Sequence, residues 1–247
     1  MKHRPQWSPV SAGLQFVKPY LVGGAVRDDL LGMEVKDLDY VMVSQRGWPA
    51  ILEWARAHIT VYQVREEYFT IRGQWQGHDV DFVMAREDGP YEDGRRPSFT
   101  VPAKSIEQDL ARRDFTCNAI AQCVATGGLV DPFKGADDIR AKVIRPVVSV
   151  TKSFVDDGLR VFRALRLAVC KGFELSPCIQ EELNNPDPRV LDSIRGVSPE
   201  RIRDELERMM RFNSEKSVDL LFRKISPSII DGVHIMGVWF TPSLKRR

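Results

Sequence analysis

The sequence predicts an α+β fold, with a small head built on a mixed β-sheet and flanking helices, followed by an all-helical part. Three observations predict it. Runs with strand composition cluster between residues 20 and 84. Helical spacing of apolar residues dominates from Lys104 onward. Between them, residues 86–104 are rich in Gly, Pro and charge, which marks a mobile loop. The expected domains are a head over residues 1–148 and a helical region over 149–247.

The elements follow in order. Tyr20-Leu-Val22 reads as a short strand, Gly23-Gly24 as a turn, and residues 25–31 as a helix closed by Gly32. Residues 38–43 have strand composition. Trp48, Ile51, Leu52 and Ala55 recur at helical spacing. Three further strands are expected at 59–64, 68–72 and 78–84, with Gly73 to Gly77 turning between the last two to make a hairpin. Residues 115–121 read as a short helix, and Gly127-Gly128 separates two short extended pieces. Residues 153–171 read as one long helix with Val155, Leu159, Phe162, Leu165 and Val169 on its buried side. A break at 184–188 precedes a helix that Ser198 caps and Pro199 opens, with Ile202, Leu206, Met209 and Met210 on its apolar face.

Composition narrows the class of protein. With 247 residues, 43% of them apolar, the chain can bury a proper core. No apolar run approaches the length of a membrane span. The N-terminal segment lacks the apolar stretch of a signal peptide, and a cytoplasmic setting is expected. Cys117, Cys123, Cys170 and Cys178 form no Cys-x-x-Cys pair and are expected to be buried thiols. The net charge of +2 does not by itself indicate nucleic acid. Local charge says more. Carboxylates concentrate around 28–39 and 79–93, and arginines cluster in the C-terminal half. An acidic pocket beside a basic surface suits an enzyme that holds cations and a polyanion together.

The sharpest local signal is Asp37-Leu-Asp39 at the head of a strand. Side chains two apart on a strand share a face, about 7 Å from each other. Two such carboxylates can hold magnesium, which prefers a few carboxylates together with phosphate oxygens and water. Alone, Asp-x-Asp is also an ordinary solvated loop. The context favours chemistry: Gly23-Gly24 opens a helix whose free N–H groups favour a phosphate, and Arg27 lies one turn in. Twelve residues separate Gly24 from Asp37, enough for a helix and a strand that returns to the same place. Asp81, in a later strand, is a candidate third ligand, although His78, Asp79 and Asp81 also fit an exposed strand face.

These residues carry a resemblance. Leu21-Val-Gly-Gly-Ala-Val-Arg-Asp-Asp-Leu-Leu-Gly32 followed by Lys36-Asp-Leu-Asp-Tyr40 resembles the first motif of the class II tRNA nucleotidyltransferases (CCA-adding enzymes) and the related bacterial poly(A) polymerases. Arg112-Arg-Asp-Phe-Thr-Cys-Asn-Ala-Ile-Ala121 is similar to the second motif. Asp131-Pro-Phe-Lys-Gly135 through Asp138-Ile-Arg140 is similar to the third. Asp156-Asp-Gly-Leu-Arg-Val-Phe-Arg-Ala-Leu-Arg166 is similar to the fourth, and Val197-Ser-Pro-Glu-Arg-Ile-Arg-Asp-Glu-Leu206 to the fifth. The five stand in the family's order over residues 18–211.

The resemblance implies a nucleotidyltransferase head with a helical neck and a short body. It implies template-independent addition of C and/or A to the 3′ end of a tRNA, from CTP and ATP, with pyrophosphate release. Asp37, Asp39 and Asp81 would carry two Mg2+ ions and the catalysis. Gly23, Gly24, Arg27, Arg113, Asp157, Arg160, Arg163 and Arg166 would bind the nucleotide, with Asp157 and Arg160 reading the base. Poly(A) addition or partial CCA addition to another RNA 3′ end uses the same head chemistry. A non-catalytic RNA binder is the reading from a different class, and the intact Asp37, Asp39, Gly24 and Arg113 argue against it. Two departures stand out: Gly158 where many relatives have proline, and Asp156 where many have glutamate. Relatives usually continue well past the fifth motif, whereas about 36 residues follow it here. The grip on tRNA is therefore expected to be reduced, absent, or completed by a homodimer.

Overall fold

A computed structural model describes residues 16–35, 37–75, 77–91 and 98–235. The leaderless reading of the N-terminus, the middle of the 86–104 segment and the basic end at Lys245-Arg-Arg247 lie outside these residues. The chain divides into two compact units, Met1–Gly89 with Ser98–Ala141 and Pro90–Pro97 with Lys142–Arg247. Among the described residues, no helix is long and apolar enough to cross a membrane.

The first unit contains β1 (Val17–Val22), α1 (Gly24–Leu30), β2 (Leu38–Ser44), α2 (Gly47–His58), β3 (Thr60–Arg65), β4 (Thr70–Trp75) and β5 (His78–Met84). These are followed by β6 (Arg86–Asp88), β7 (Thr100–Pro102), α3 (Ile106–Ala111), β8 (Ala121–Cys123), β9 (Leu129–Val130) and α4 (Gly135–Ala141). Seven strands form one sheet in the order β3-β4-β5-β2-β1-β8-β9. β2 and β5 run parallel, and the other neighbours in this sheet run antiparallel.

The two-residue period of β2 and β5 decides which side chains face the core. Tyr40 and Phe82 are cross-strand partners and stack with ring centroids 5.4 Å apart. Trp54 of α2 packs edge-on against Phe82 at 5.5 Å, and Trp75 of β4 joins the cluster. With these rings on the α2 side, Asp39 and Asp81 are turned to the opposite face.

Three sequence expectations need correction in this unit. Gly73 is not in the turn. β4 continues through it to Trp75, which pairs with His78, so the hairpin closes over two residues. Gly73 is needed for close approach: a Cβ there would lie 2.4 Å from the Thr60 carbonyl oxygen, at the bulge between Val61 and Gln63. The 86–104 segment is not a loop at its ends, because β6 and β7 pair antiparallel. Residues 115–121 are not one helix. A 3-10 turn over Thr116–Asn118 leads into β8, which pairs with β1.

Among the described residues from Lys142 onward, the second unit is helical apart from a two-stranded parallel pair, β10 (Val143–Ile144) with β11 (Glu174–Leu175). Its helices are α5 (Val150–Asp156), α6 (Leu159–Cys170), α7 (Pro177–Asn184), α8 (Pro188–Gly196), α9 (Pro199–Phe212), α10 (Ser214–Arg223) and α11 (Pro227–Ile235). The long helix expected over 153–171 is two helices. Asp157 is extended (φ −150°, ψ 104°) and its carboxylate accepts from the Leu159 N–H at 3.1 Å, which holds the chain at the bend before α6, whose N-cap is Gly158. Gly158 presses on α8: a Cβ would lie 2.6 Å from the Ile194 nitrogen and the Ser193 carbonyl carbon. The apolar spacing of α9 is as read, with Ile202, Leu206 and Met209 buried and Met210 half-buried. Pro199 opens α9, but Ser198 makes no side-chain cap hydrogen bond. All four thiols are free, and only Cys117 is buried. Cys123 and Cys170 are half-buried and Cys178 is exposed, because its position at the start of α7 faces away from the packed side.

The Gly158 contact predicts a cost for any side chain there. Gly158→Ala should lower stability by about 1–3 kcal/mol, the usual range for overpacking. Gly158→Pro should lose at least as much, although the φ of −59° is one that proline adopts. Thermal melting of the two variants beside the parent checks this.

Candidate active site

The carboxylates come first. Asp39 and Asp81 are cross-strand partners on β2 and β5. Asp37, just before β2, and Asp39 are both exposed. Asp39 lies in surroundings that still desolvate it. This desolvation, with the negative charges of Asp81 and Asp37, raises its pKa, while Arg113 and Arg72 pull the other way. Asp81 is held by Arg72, its partner on β4, through two hydrogen bonds of 2.7 Å from Nε and Nη2. Among the described residues, no three His, Cys, Asp or Glu side chains are gathered as a metal site. Asp81 is thus on the expected face, but both its oxygens are engaged by a guanidinium.

On the β1 side of the carboxylates, the chain turns at Gly23 with φ 67° and ψ −131°, and α1 begins at Gly24. Only glycine adopts that backbone readily. Its missing side chain has a second use, because a Cβ at Gly23 would lie 2.9 Å from Arg113 Nη1. Arg113 is therefore packed against the glycine turn, and its charge reaches Asp39. Its Nη2 donates to Asp109 at 3.0 Å, and its buried Nε has no hydrogen-bond partner. The structure brings Gly23, Arg113, Asp39 and Asp81 together.

Arg27 is placed differently. It is buried, its Nε donates to Asp28 at 2.9 Å, and its Nη1 donates to Asn118 Oδ1. Asn118 in turn donates to Asp114 at 2.9 Å. Arg27 thereby ties α1 to the turn that follows Arg113.

Sequence reasoning missed Asp109. It is fully buried on α3, pairs with Arg112 at 2.9 Å and Arg113 at 3.0 Å, and accepts from the Arg86 N–H at 3.3 Å. Burial alone would raise its pKa, but the two arginines outweigh this and hold it below the usual carboxylate range. The signal was present in the spacing, since Asp109 stands three and four residues before an arginine pair.

In the second unit, Asp157 sits in the elbow between α5 and α6 and not on a helix. Desolvation raises its pKa against the pull of Arg201, whose Nη2 is 3.9 Å away, and of Arg160 and Arg163. Arg160 is buried and donates to Ser153 Oγ at 3.1 Å. Arg163 and Arg166 both reach Glu205 of α9, Arg163 at 3.8 Å and Arg166 through a shorter contact from Nε. Glu205 is buried and was also missed. Arg208 and Arg211 pair within α9, with Asp204 and Glu207.

An antiparallel-rich sheet with paired carboxylates on one face and a glycine turn beside them defines a nucleotidyltransferase-type head. Residues 19–145 match the model of the "Poly A polymerase head domain", and the chain belongs to that family. It is 35% identical over 196 residues to the CCA-adding enzyme of Geobacillus stearothermophilus, covering 77% of this chain and 45% of that protein. It is 32% identical over 217 residues to the CCA-adding enzyme of Leuconostoc mesenteroides, covering 87% of this chain and 52% of the relative. Among solved structures, the Bacillus stearothermophilus CCA-adding enzyme in complex with CTP superposes with a TM-score of 0.71 at 29% identity, over 85% of this chain and 49% of that one. The Thermotoga maritima CCA-adding enzyme complexed with tRNA gives 0.68 at 26% identity, over 92% and 50%. The chain spans about half the length of the relatives it matches.

The pairing of Asp109 sets a pH signature. A carboxylate whose folded pKa is depressed adds stability above its unfolded value of 3.8, and that stability is lost as pH falls through the folded pKa. Asp109→Asn should therefore cost about 3 kcal/mol at neutral pH, as removal of one partner from a buried pair does. The deficit should close below about pH 4. Melting curves of parent and variant across pH check it; a deficit constant with pH would refute the ion-pair role.

Proposed function

We propose that this chain adds C and/or A to the 3′ end of a tRNA without a nucleic-acid template, by metal-dependent transfer from CTP or ATP with release of pyrophosphate. The observation that carries the reading is the in-register pair Asp39–Asp81, with Asp37 beside it and Gly23 and Arg113 next to it. The names of the relatives, CCA-adding enzymes known in complexes with CTP and with tRNA, support the same substrates here.

The donor set fits magnesium. Asp37 and Asp39 are open carboxylates of like charge, and the raised pKa of Asp39 reflects a face that a cation would relieve. When bound, two Mg2+ ions would activate the attacking 3′-hydroxyl and steady the leaving pyrophosphate. Asp81 would join them only after release from Arg72. Gly23 and Gly24 would bring backbone N–H groups to the triphosphate, and Arg113, backed by Asp109, would add a charge-assisted contact. Arg27 would support that arrangement through Asn118.

Asp157 and Arg160 would read the base, with Arg163 and Arg166 beside them. A carboxylate accepts from an exocyclic amine and a guanidinium donates to a ring nitrogen. Cytosine and adenine offer that pair of groups, whereas uracil and guanine present a carbonyl beside an N–H. A mismatched base leaves buried polar groups unpaired, at about 1–3 kcal/mol each. Poly(A) addition and partial CCA addition are the second reading, since they use the same head chemistry.

The deciding experiment supplies each nucleotide separately, with magnesium, to tRNAs that stop before the first C, the second C or the terminal A, and sequences the products. Ordered C, C and A addition supports the proposal. A long A tail supports poly(A) addition, and RNA binding without transfer supports the binder. Asp37→Ala and Asp39→Ala should each lower turnover at least about 1,000-fold, a loss of several kcal/mol of transition-state stabilisation, with the fold intact. Unchanged turnover in either would sink the two-metal assignment. Asp157→Ala and Arg160→Ala should weaken incorporation of C and A by about tenfold or more and relax discrimination against U. Retention of the parent C-over-U preference in both would reject the base-reading role.

A further inference from the structure

We propose that a basic cavity on the β3–β4 side of the carboxylates is a subsite for the phosphate backbone of the RNA strand being extended. The inference rests on the activity proposed above. Gln63, Arg65, Tyr68, Thr70, Arg72 and Arg86 line an open cavity of about 280 Å3. Among the described residues, three guanidinium groups line it and no carboxylate does. Glu66 and Glu67 belong to the same 3-10 turn as Tyr68 but do not line it. A cavity of that composition asks for an anion.

Its position says which anion. Cross-strand partners share a face of the sheet, so Asp39, Asp81, Arg72 and Gln63 form one row across β2, β5, β4 and β3. Arg65 lies on the same face, opposite Thr70. Strands are about 4.8 Å apart, so the cavity begins roughly 5 Å beyond Asp81. The glycine turn and Arg113 lie on the other side of Asp39, at the end of β1. Cationic groups therefore flank the carboxylates on both sides. Phosphoryl transfer places the attacking and leaving oxygens on opposite sides of the phosphorus. With the triphosphate at Gly23 and Arg113, the strand that brings the 3′-hydroxyl arrives from the β5–β4–β3 side, with its last linkages beside the cavity.

The three arginines are not equally available. Arg72 holds Asp81, and Arg86 donates to the Tyr68 carbonyl at 2.8 Å and pairs with Asp88 at 3.2 Å. Arg65 is exposed and makes no ion pair among the described residues. It is the guanidinium the cavity can offer without breaking a contact, and its replacement disturbs no packing.

The test measures equilibrium binding of Arg65→Ala and Arg65→Glu to a tRNA lacking its terminal A, over a range of salt, and to the same RNA with neutral methylphosphonates at its last two linkages. Binding of CTP is measured in parallel. Arg65→Glu should weaken RNA binding about tenfold or more and flatten the salt slope by about 0.7–0.9, one phosphate's worth, with CTP affinity retained. Arg65→Ala and the neutral linkages should each weaken binding, and together no more than the larger single loss, because they remove the same contact. Unchanged RNA affinity, additive losses, or an equal loss of CTP affinity would overturn the subsite; the last would assign the cavity to the triphosphate. If the parent transfers no nucleotide but the non-additive loss persists, the proposed function falls and the subsite stands. If the parent transfers normally and the Arg65 variants bind as it does, the subsite alone falls. A parent that binds no RNA would remove both.

Discussion

The contact between Tyr40 and Phe82 is the constraint on which the head depends. It joins the one parallel pair of the large sheet, β2 and β5, and it fixes their phase against α2. A slip of one residue in either strand would send an aspartate into a cluster that holds Trp54 and Trp75. Burial of the rings and outward presentation of the carboxylates are thus one choice of register. The energy comes from the aromatic side; an open carboxylate face adds nothing to packing and, through the raised pKa of Asp39, subtracts a little.

The arginines follow a second rule. Each unit has a buried carboxylate that collects guanidinium groups from the motif beside it: Asp109 holds Arg112 and Arg113, and Glu205 holds Arg163 and Arg166. Such carboxylates limit the rotamers of long cationic side chains before any anion arrives, so less freedom remains to be lost on binding. Arg27 is restrained likewise by Asp28 and Asn118.

Much of this was legible in the sequence. The two-residue alternation around Asp37-Leu-Asp39 gave the exposed face, and the Gly23-Gly24 pair gave the turn next to it. What failed has physical reasons. Gly73 was read as a turn because glycine gives the same signal in a turn and where two strands nearly touch. The elbow at Asp157 was missed because Val155 and Leu159 stay four apart, as in a continuous helix; only Gly158 marked it. Asp109 and Glu205 look like their exposed neighbours in sequence, and burial of a charge is decided by elements far along the chain. The roles proposed for Asp157, Arg160 and Arg163 rest on resemblance, since spacing alone describes an ordinary charged helix.

Arg72 gives the carboxylate face its own counter-ion. With a guanidinium on Asp81, the three acidic groups are partly neutralised by the protein itself. The head can therefore complete its sheet before it meets any dissolved cation, unlike small domains whose ligands repel one another until an ion arrives. A scaffold built this way needs no ion in order to fold, so a chelator would leave it unmelted.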